Sequence, residues 1–207
     1  MTIQPMISIP PDVQGLIFDC DGTIADTMPL HYQAWAKALG EHGVEFPEAL
    51  FYQFAGVPTD KIIQALNDRH GHNMPVQETA EYKDSLFEQL IPQTLPIDPV
   101  VQLVRQYHGK LPMAVASGGT MQLVSKTLKS LGLFDCFQAI VTADDVKRGK
   151  PAPDIFLEAA RRIGAPPAHC YVFEDGEPGL EAARAAGMTP IDIRPMHREL
   201  QERQARL

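Results

Sequence analysis

At 207 residues, with 44% hydrophobic and 21% charged residues, the chain has the size and composition of one globular domain, or of one domain with a sizeable insertion. A net charge of −8 argues against a broad nucleic-acid or anionic-membrane surface, but not against a small anion held at a local site. No apolar run approaches the roughly 20 residues of a membrane-spanning helix. The opening MTIQPMISIPPDVQ lacks a basic segment followed by a long apolar one, and Cys20, Cys136 and Cys170 have no C-x-x-C spacing. The expectation is a cytoplasmic, monomeric protein with reduced thiols and no nucleic-acid or membrane partner.

The first strand-like run is Gly15 to Phe18, ending in Asp19 and Asp21. From about Thr27 to Pro96 the pattern is helical without strands: HYQAWAKALGEHG, PTDKIIQALNDRHG and VQETAEYKDSLFEQLI, divided by Pro47, Pro58, Pro75 and Pro92. This is an all-helical insertion after the first strand, and the sheet is expected to resume near Pro96 or Ile97. Further strands are expected at Met113 to Ala116, Ala139 to Val141, Tyr171 to Phe173 and Thr189 to Ile193. Between them lie helices, one with a stripe of Ile155, Phe156, Ala159, Ala160 and Ile163, another reading EPGLEAARAAGM and stopped by Gly187. Strands alternating with helices predict an α/β, Rossmann-like parallel sheet covered on both faces. The predicted division is a core of residues 1–28 and 96–207 with a helical cap of 29–95. The tail HRELQERQARL reads as a polar, exposed helix.

In an open parallel sheet, ligands bind beyond the carboxyl ends of the strands. Asp19 lies at such an end; Asp21 can turn back into the same crevice because Gly22 permits the curl. Alone, D-G-T reads more readily as an Asx turn capping a helix. After MAVA comes SGGT, where Ser117 offers a hydroxyl, and Gly118 and Gly119 let backbone N–H groups approach an anion; a plain helix cap has the same letters. After AIVTADDV comes KRGKPAPD, in which Pro151 restrains the backbone of Lys150, whereas Lys147 and Arg148 look solvated. YVFEDGEPG ends a buried strand with Glu174 and Asp175. Several carboxylates at one rim need a cation, and oxygen ligands without histidine or thiolate favour Mg2+. With Lys150 and Mg2+ offsetting charge, one aspartate can attack phosphorus and a second can shuttle the proton.

The ordered set FDCDGT, VASGG, KRGKPAPD and VFEDGEPG resembles the four motifs of the haloacid dehalogenase superfamily, and the insertion resembles the small cap of its β-phosphoglucomutase-like members. The resemblance implies Asp19 as nucleophile, Asp21 as general acid and base, and Ser117 and Lys150 as phosphoryl ligands. It implies Mg2+ held by Asp19, the backbone carbonyl of Asp21, Asp175 and Glu174. In the cap, DTMPLHYQAWAKAL and FAGVPTDKI resemble substrate-facing segments, which implies roles for His31, Trp35, Gly56, Val57 and Thr59. Taken singly, His31 is as readily a hinge residue, and Trp35 a core residue. The mutases' K-G-V-S-R loop is here AGVPT, with Ala55 and Thr59 in place of the two cations and only Lys61 nearby. A mutase must grip a second phosphate. The expectation is therefore a phosphatase of small phosphorylated sugars, similar to bacterial enzymes acting on fructose 1-phosphate and 6-phosphogluconate, with β-phosphoglucomutase as the alternative.

Overall fold

In the computed structural model, which describes residues 7–54 and 57–197, the main sheet has five parallel strands. They are β1 (Gly15–Phe18), β4 (Met113–Ala116), β5 (Ala139–Val141), β6 (Cys170–Glu174) and β7 (Thr189–Asp192), in the order β5-β4-β1-β6-β7. β1 is central, with Phe18 opposite Val115 on one side and Phe173 on the other. Helices cover both faces of the inner strands, so β1 and β4 read as unbroken, fully buried apolar runs. Leu16 and Phe18 point to the face covered by α5 (Asp98–Tyr107) and α6 (Met121–Ser130), joining Val104, Met113, Val115 and Leu128. Ile17 points to the other, where Phe156 and Ala160 of α7 (Asp154–Ile163) and Ala182 of α8 (Glu177–Ala185) cover it.

The register places four strand ends at one level. Asp19 donates its N–H to Phe173 at 3.0 Å, and Ser117 donates its own to Val141 at 3.0 Å. Consequently the residues immediately after β1 and β4 share a rim with Glu174, the last residue of β6.

The sheet does not resume at Pro96. Leu95–Pro96 (β3) pairs antiparallel with Ala25–Asp26 (β2) in a separate two-stranded ribbon, and the main sheet resumes only at Met113, after α5. The chemistry explains this: Pro96 has no N–H for a central ladder, and the following residues place Pro99 in a first helical turn, with Val100, Val101 and Val104 buried on one side. Between the two ribbon strands lie α1 (Met28–Gly40), α2 (Glu48–Gln53), α3 (Thr59–His70) and α4 (Val76–Leu90). They enclose their own apolar cluster, including Trp35, Phe46, Phe51, Ile63 and Leu66. A second cluster of Leu30, Ala38, Leu86, Phe87 and Ile91 takes in Leu123 from α6, and beside it Gln122 donates to Glu88 at 2.8 Å while Lys126 pairs with the same carboxylate. All but His197 of the C-terminal tail lies outside the described residues. Among them, no helix is long and apolar enough to cross a membrane.

Candidate active site

The rim collects the acids. Lys150 donates from Nζ to Asp19 Oδ1 and to Glu174 Oε2, each at 2.6 Å, with all three side chains at most 7% exposed. Its ammonium also lies 5.1 Å from the centre of the Phe156 ring. Burial and then Glu174 push the Asp19 carboxyl well above its ordinary range, against the pull of Lys150. Burial alone would lower the Lys150 ammonium, but Asp19 and Glu174 outweigh it and hold it above its usual value. Asp175 accepts from Thr23 Oγ1 at 2.8 Å and is pushed up to about 7, chiefly by burial and then by Glu174. Carboxylate oxygens of Asp19, Glu174 and Asp175 all lie within 4.8 Å of one another. Such an all-oxygen set of crowded acids fits a hard divalent cation.

Asp21 is differently placed. Its Oδ1 accepts from Thr27 Oγ1 at 2.7 Å and lies 3.4 Å from His31 Nε2, while Oδ2 is 3.5 Å from Ser117 Oγ. Burial would raise its pKa, yet the His31 and Thr27 hydrogen bonds bring it below the usual carboxylate value. Burial, followed by the charge of Lys83, lowers the pKa of His31. Lys83 donates to His31 Nδ1 at 3.1 Å, so the neutral ring carries its hydrogen on Nε2, facing Asp21. Phe87 stacks on the imidazole with centroids 3.6 Å apart. Asp21 is thereby held as an anion.

Ser117 is buried, and its Oγ accepts the Gly119 N–H at 3.1 Å. Gly118 and Gly119 lead into α6, whose Thr120 cap accepts from the Leu123 N–H at 3.5 Å. On the Lys150 segment, Arg148 is exposed as expected, but it also donates to both Asp154 oxygens at 3.0 and 2.9 Å.

The sheet rim and the helices between β2 and β3 face each other across a cavity of about 360 Å³, lined by Asp19, Asp21, Ser117, Gly118, Gly119, Lys150, Glu174 and Asp175 from below. From above come His31, Trp35, Val57 and Thr59. Trp35 is both wall and core, being buried against Phe46 with centroids 5.6 Å apart. Gly56 lies outside the described residues. Lys61 is 70% exposed, pairs with Asp60 at 3.7 Å and does not line the cavity. Three site residues escaped the sequence reading. Thr27 lay inside a quoted segment without a role, and Lys83 and Asp84 lie in a polar helix that carries no motif; both line the cavity.

Fold and site together define an α/β protein with acids, a lysine and a serine gathered at one rim of a parallel sheet, and its similarity to known proteins places it among hydrolases. The model of haloacid dehalogenase-like hydrolases matches residues 13–187. The fructose-1-phosphate phosphatase YqaB of Escherichia coli (strain K12) is 41% identical over 180 residues, covering 87% of this chain and 96% of that protein. A phosphorylated carbohydrates phosphatase of Thermotoga maritima is 30% identical over 183 residues, covering 86% and 84%. CbbY from Rhodobacter sphaeroides, solved with phosphate, has the same fold, with a TM-score of 0.80 at 23% identity over 87% of this chain and 85% of that one. The chain belongs to the haloacid dehalogenase-like hydrolases, and it is a phosphatase.

Proposed function

We propose that this protein is a Mg2+-dependent phosphatase of small phosphorylated sugars, of the fructose 1-phosphate or 6-phosphogluconate type, working through a phosphorylated Asp19 beneath a helical cap of residues 29–95. The observation that carries this reading is the convergence of Asp19, Lys150, Glu174 and Asp175 at one buried rim, with Asp21 and Ser117 beside them. The relatives' names support the sugar-phosphate class. Three free cysteines suit a reducing compartment.

Asp19 attacks phosphorus, and the ester P–O bond breaks with its electron pair on the departing alkoxide, which takes a proton from Asp21. Water then attacks the phosphorus of phospho-Asp19; Asp21 takes the water's proton, the acyl–phosphate bond breaks, and inorganic phosphate leaves. The anionic state of Asp21 described above is the one that accepts a proton. For the acid role Asp21 first takes up a proton, from solvent or from the phosphate monoanion of the substrate, and gives up donation from His31 or Thr27; the proton it gains from water in the second half-reaction restores the acid for the next turnover. Ser117 Oγ and the N–H groups after it orient the phosphoryl oxygens, and Lys150 offsets their charge. Asp19, Glu174, Asp175 and the backbone carbonyl of Asp21 would hold Mg2+, which supplies further charge neutralisation.

The test is release of phosphate from p-nitrophenyl phosphate and fructose 1-phosphate, with and without EDTA. EDTA should abolish turnover, and Asp19→Asn should end it while the protein stays folded. More than a few per cent of residual activity in that variant, with deamidation excluded by mass, contradicts a covalent role for Asp19. Isomerisation of β-glucose 1-phosphate faster than phosphate release would favour the mutase instead.

A further inference from the structure

The cap turns one ammonium toward the cavity among the described residues, that of Lys83. It is 4% exposed and lies 5.5 Å from the centres of both the Trp35 and Phe87 rings. It is already engaged: Nζ donates to Asp84 Oδ1 at 3.1 Å and to His31 Nδ1 at 3.1 Å. The other charged cap group on the wall is Asp60, whose partner Lys61 faces away. The cap wall therefore carries two carboxylates against one neutralised ammonium, and the remaining lining there is largely Met28, Trp35, Phe51, Phe54, Ile62 and Phe87. A leaving group bearing a carboxylate or second phosphate would have to desolvate its charge against this wall with no free cation to meet it.

We propose that Asp84 sets the substrate class of this site: by holding Lys83 it leaves the cap without a free cation, so that one phosphate on a neutral polyhydroxy leaving group is accepted and a second anionic group is rejected. The inference rests on the phosphatase reading and narrows it, placing fructose 1-phosphate above 6-phosphogluconate. Asp84 is a specificity-determining residue here and takes no part in bond breaking. Negative selection of this kind needs only that the wrong ligand's second charge meet no compensating partner.

The experiment compares kcat/KM for substrates matched except in charge: fructose 1,6-bisphosphate against fructose 1-phosphate, and 6-phosphogluconate against glucitol 6-phosphate. Wild type should favour the neutral member of each pair. Asp84→Asn, side chain 29% exposed in the parent, removes the negative charge that offsets the ammonium and should raise the charged-to-neutral ratio by about tenfold, the scale of one partly screened charge across a cavity. Lys83→Met leaves Asp84 unopposed and should lower that ratio. General damage depresses both members of a pair alike, so it cannot move the two variants in opposite directions. The same ratios read as equilibrium Kd values in an Asp19→Asn background require no turnover and should move in the same directions. An Asp84→Asn ratio within about twofold of wild type, well below the factor expected for one charge, overturns the proposal, as does a rise in Lys83→Met. Wild type releasing no phosphate from any of the four compounds would overturn the phosphatase reading, and this inference with it. Release with unmoved ratios would overturn this inference alone.

Discussion

Replacing Gly179 with alanine tests whether the metal-side acids are as tightly placed as the structure shows. Gly179 lies in the first turn of α8, directly against the side chain of Glu174. A Cβ there would overlap Oε2 and Cδ of Glu174 and stand 2.5 Å from its Cγ, about 1 Å inside an ordinary carbon–carbon contact. The carboxylate cannot retreat, because it is 4% exposed and both oxygens are engaged, Oε2 by Lys150 at 2.6 Å and Oε1 by the Gly176 N–H at 2.9 Å. Alanine gains up to about 1 kcal/mol of helix propensity over glycine. Against that stand about 1–3 kcal/mol of overpacking and about 1.5–3 kcal/mol for a disturbed charge-assisted hydrogen bond. The expected net loss is about 2–4 kcal/mol in urea unfolding without Mg2+. A shift of about 1 Å in a group that positions Lys150 should also cost on the order of 100-fold in kcat/KM for p-nitrophenyl phosphate. It should raise the Mg2+ concentration needed for half activity as well. Gly40→Ala is the control, since nothing lies within 4 Å of its Cβ position; it should change stability by less than about 1 kcal/mol. If Gly179→Ala matches that control in stability, turnover and Mg2+ requirement, the close packing of Glu174 is refuted.

Two further outcomes follow from the ionisation states. In metal-free protein the Asp19 and Asp175 carboxyls are raised above their unfolded values, Asp175 to about 7. Such groups stabilise fully below the unfolded pKa, near 4, and that stability is lost as pH rises through the folded value. His31, depressed by burial, works in the opposite direction, so the readout is the gain in Tm on adding Mg2+, which isolates the acids. That gain should grow from about pH 5 to pH 7.5 as their protons leave; a gain that shrinks across the interval is contrary to the assignment. In kcat/KM, which covers the steps up to alcohol departure, Asp21→Asn should cost about 100- to 10,000-fold for fructose 1-phosphate and much less for p-nitrophenyl phosphate, because nitrophenolate departs without a proton. Equal losses in kcat/KM on both esters would remove Asp21 from protonation of the leaving alcohol.

How much of this could be read from the chain depends on which residues owe their setting to local sequence. β7, TPID, is only partly buried and was legible from its place after the α8 helix. The inner strands were legible because helices bury both of their faces, leaving short unbroken apolar runs such as GLIF and MAVA. Asp19, Ser117 and Glu174 were legible for the same reason, since a polar residue after such a run stands at a strand end. The β2–β3 ribbon was not: two residues per strand carry no period, and the pairing joins positions about 70 residues apart in sequence. Lys83 and Asp84 lie in a segment legible only as a helix, with no motif to single them out. Their burial arises only when α4 packs on α1 and brings Lys83 to His31, 52 residues away. Gly179 was visible as part of a motif, but its necessity comes from a Glu174 side chain folded over α8, which no spacing rule reports.

The two buried lysines show why the cavity handles one anion and not two. Lys150 sits between Asp19 and Glu174, and Lys83 between Asp84 and His31. Burial of this kind makes partners for each ammonium necessary on desolvation grounds alone. Their partners differ in what else can claim them. Asp19 and Glu174 are also proposed metal ligands, so their negative charge is shared once a divalent ion is held, and the donors of Lys150 become available to phosphoryl oxygens. Among the described residues, no other cation from the helices between β2 and β3 lines the cavity beside Asp84, so Lys83 stays committed. Two lysines with similar burial thus take opposite parts, one receiving an anion and the other withheld from one, and the difference lies in the acids beside them.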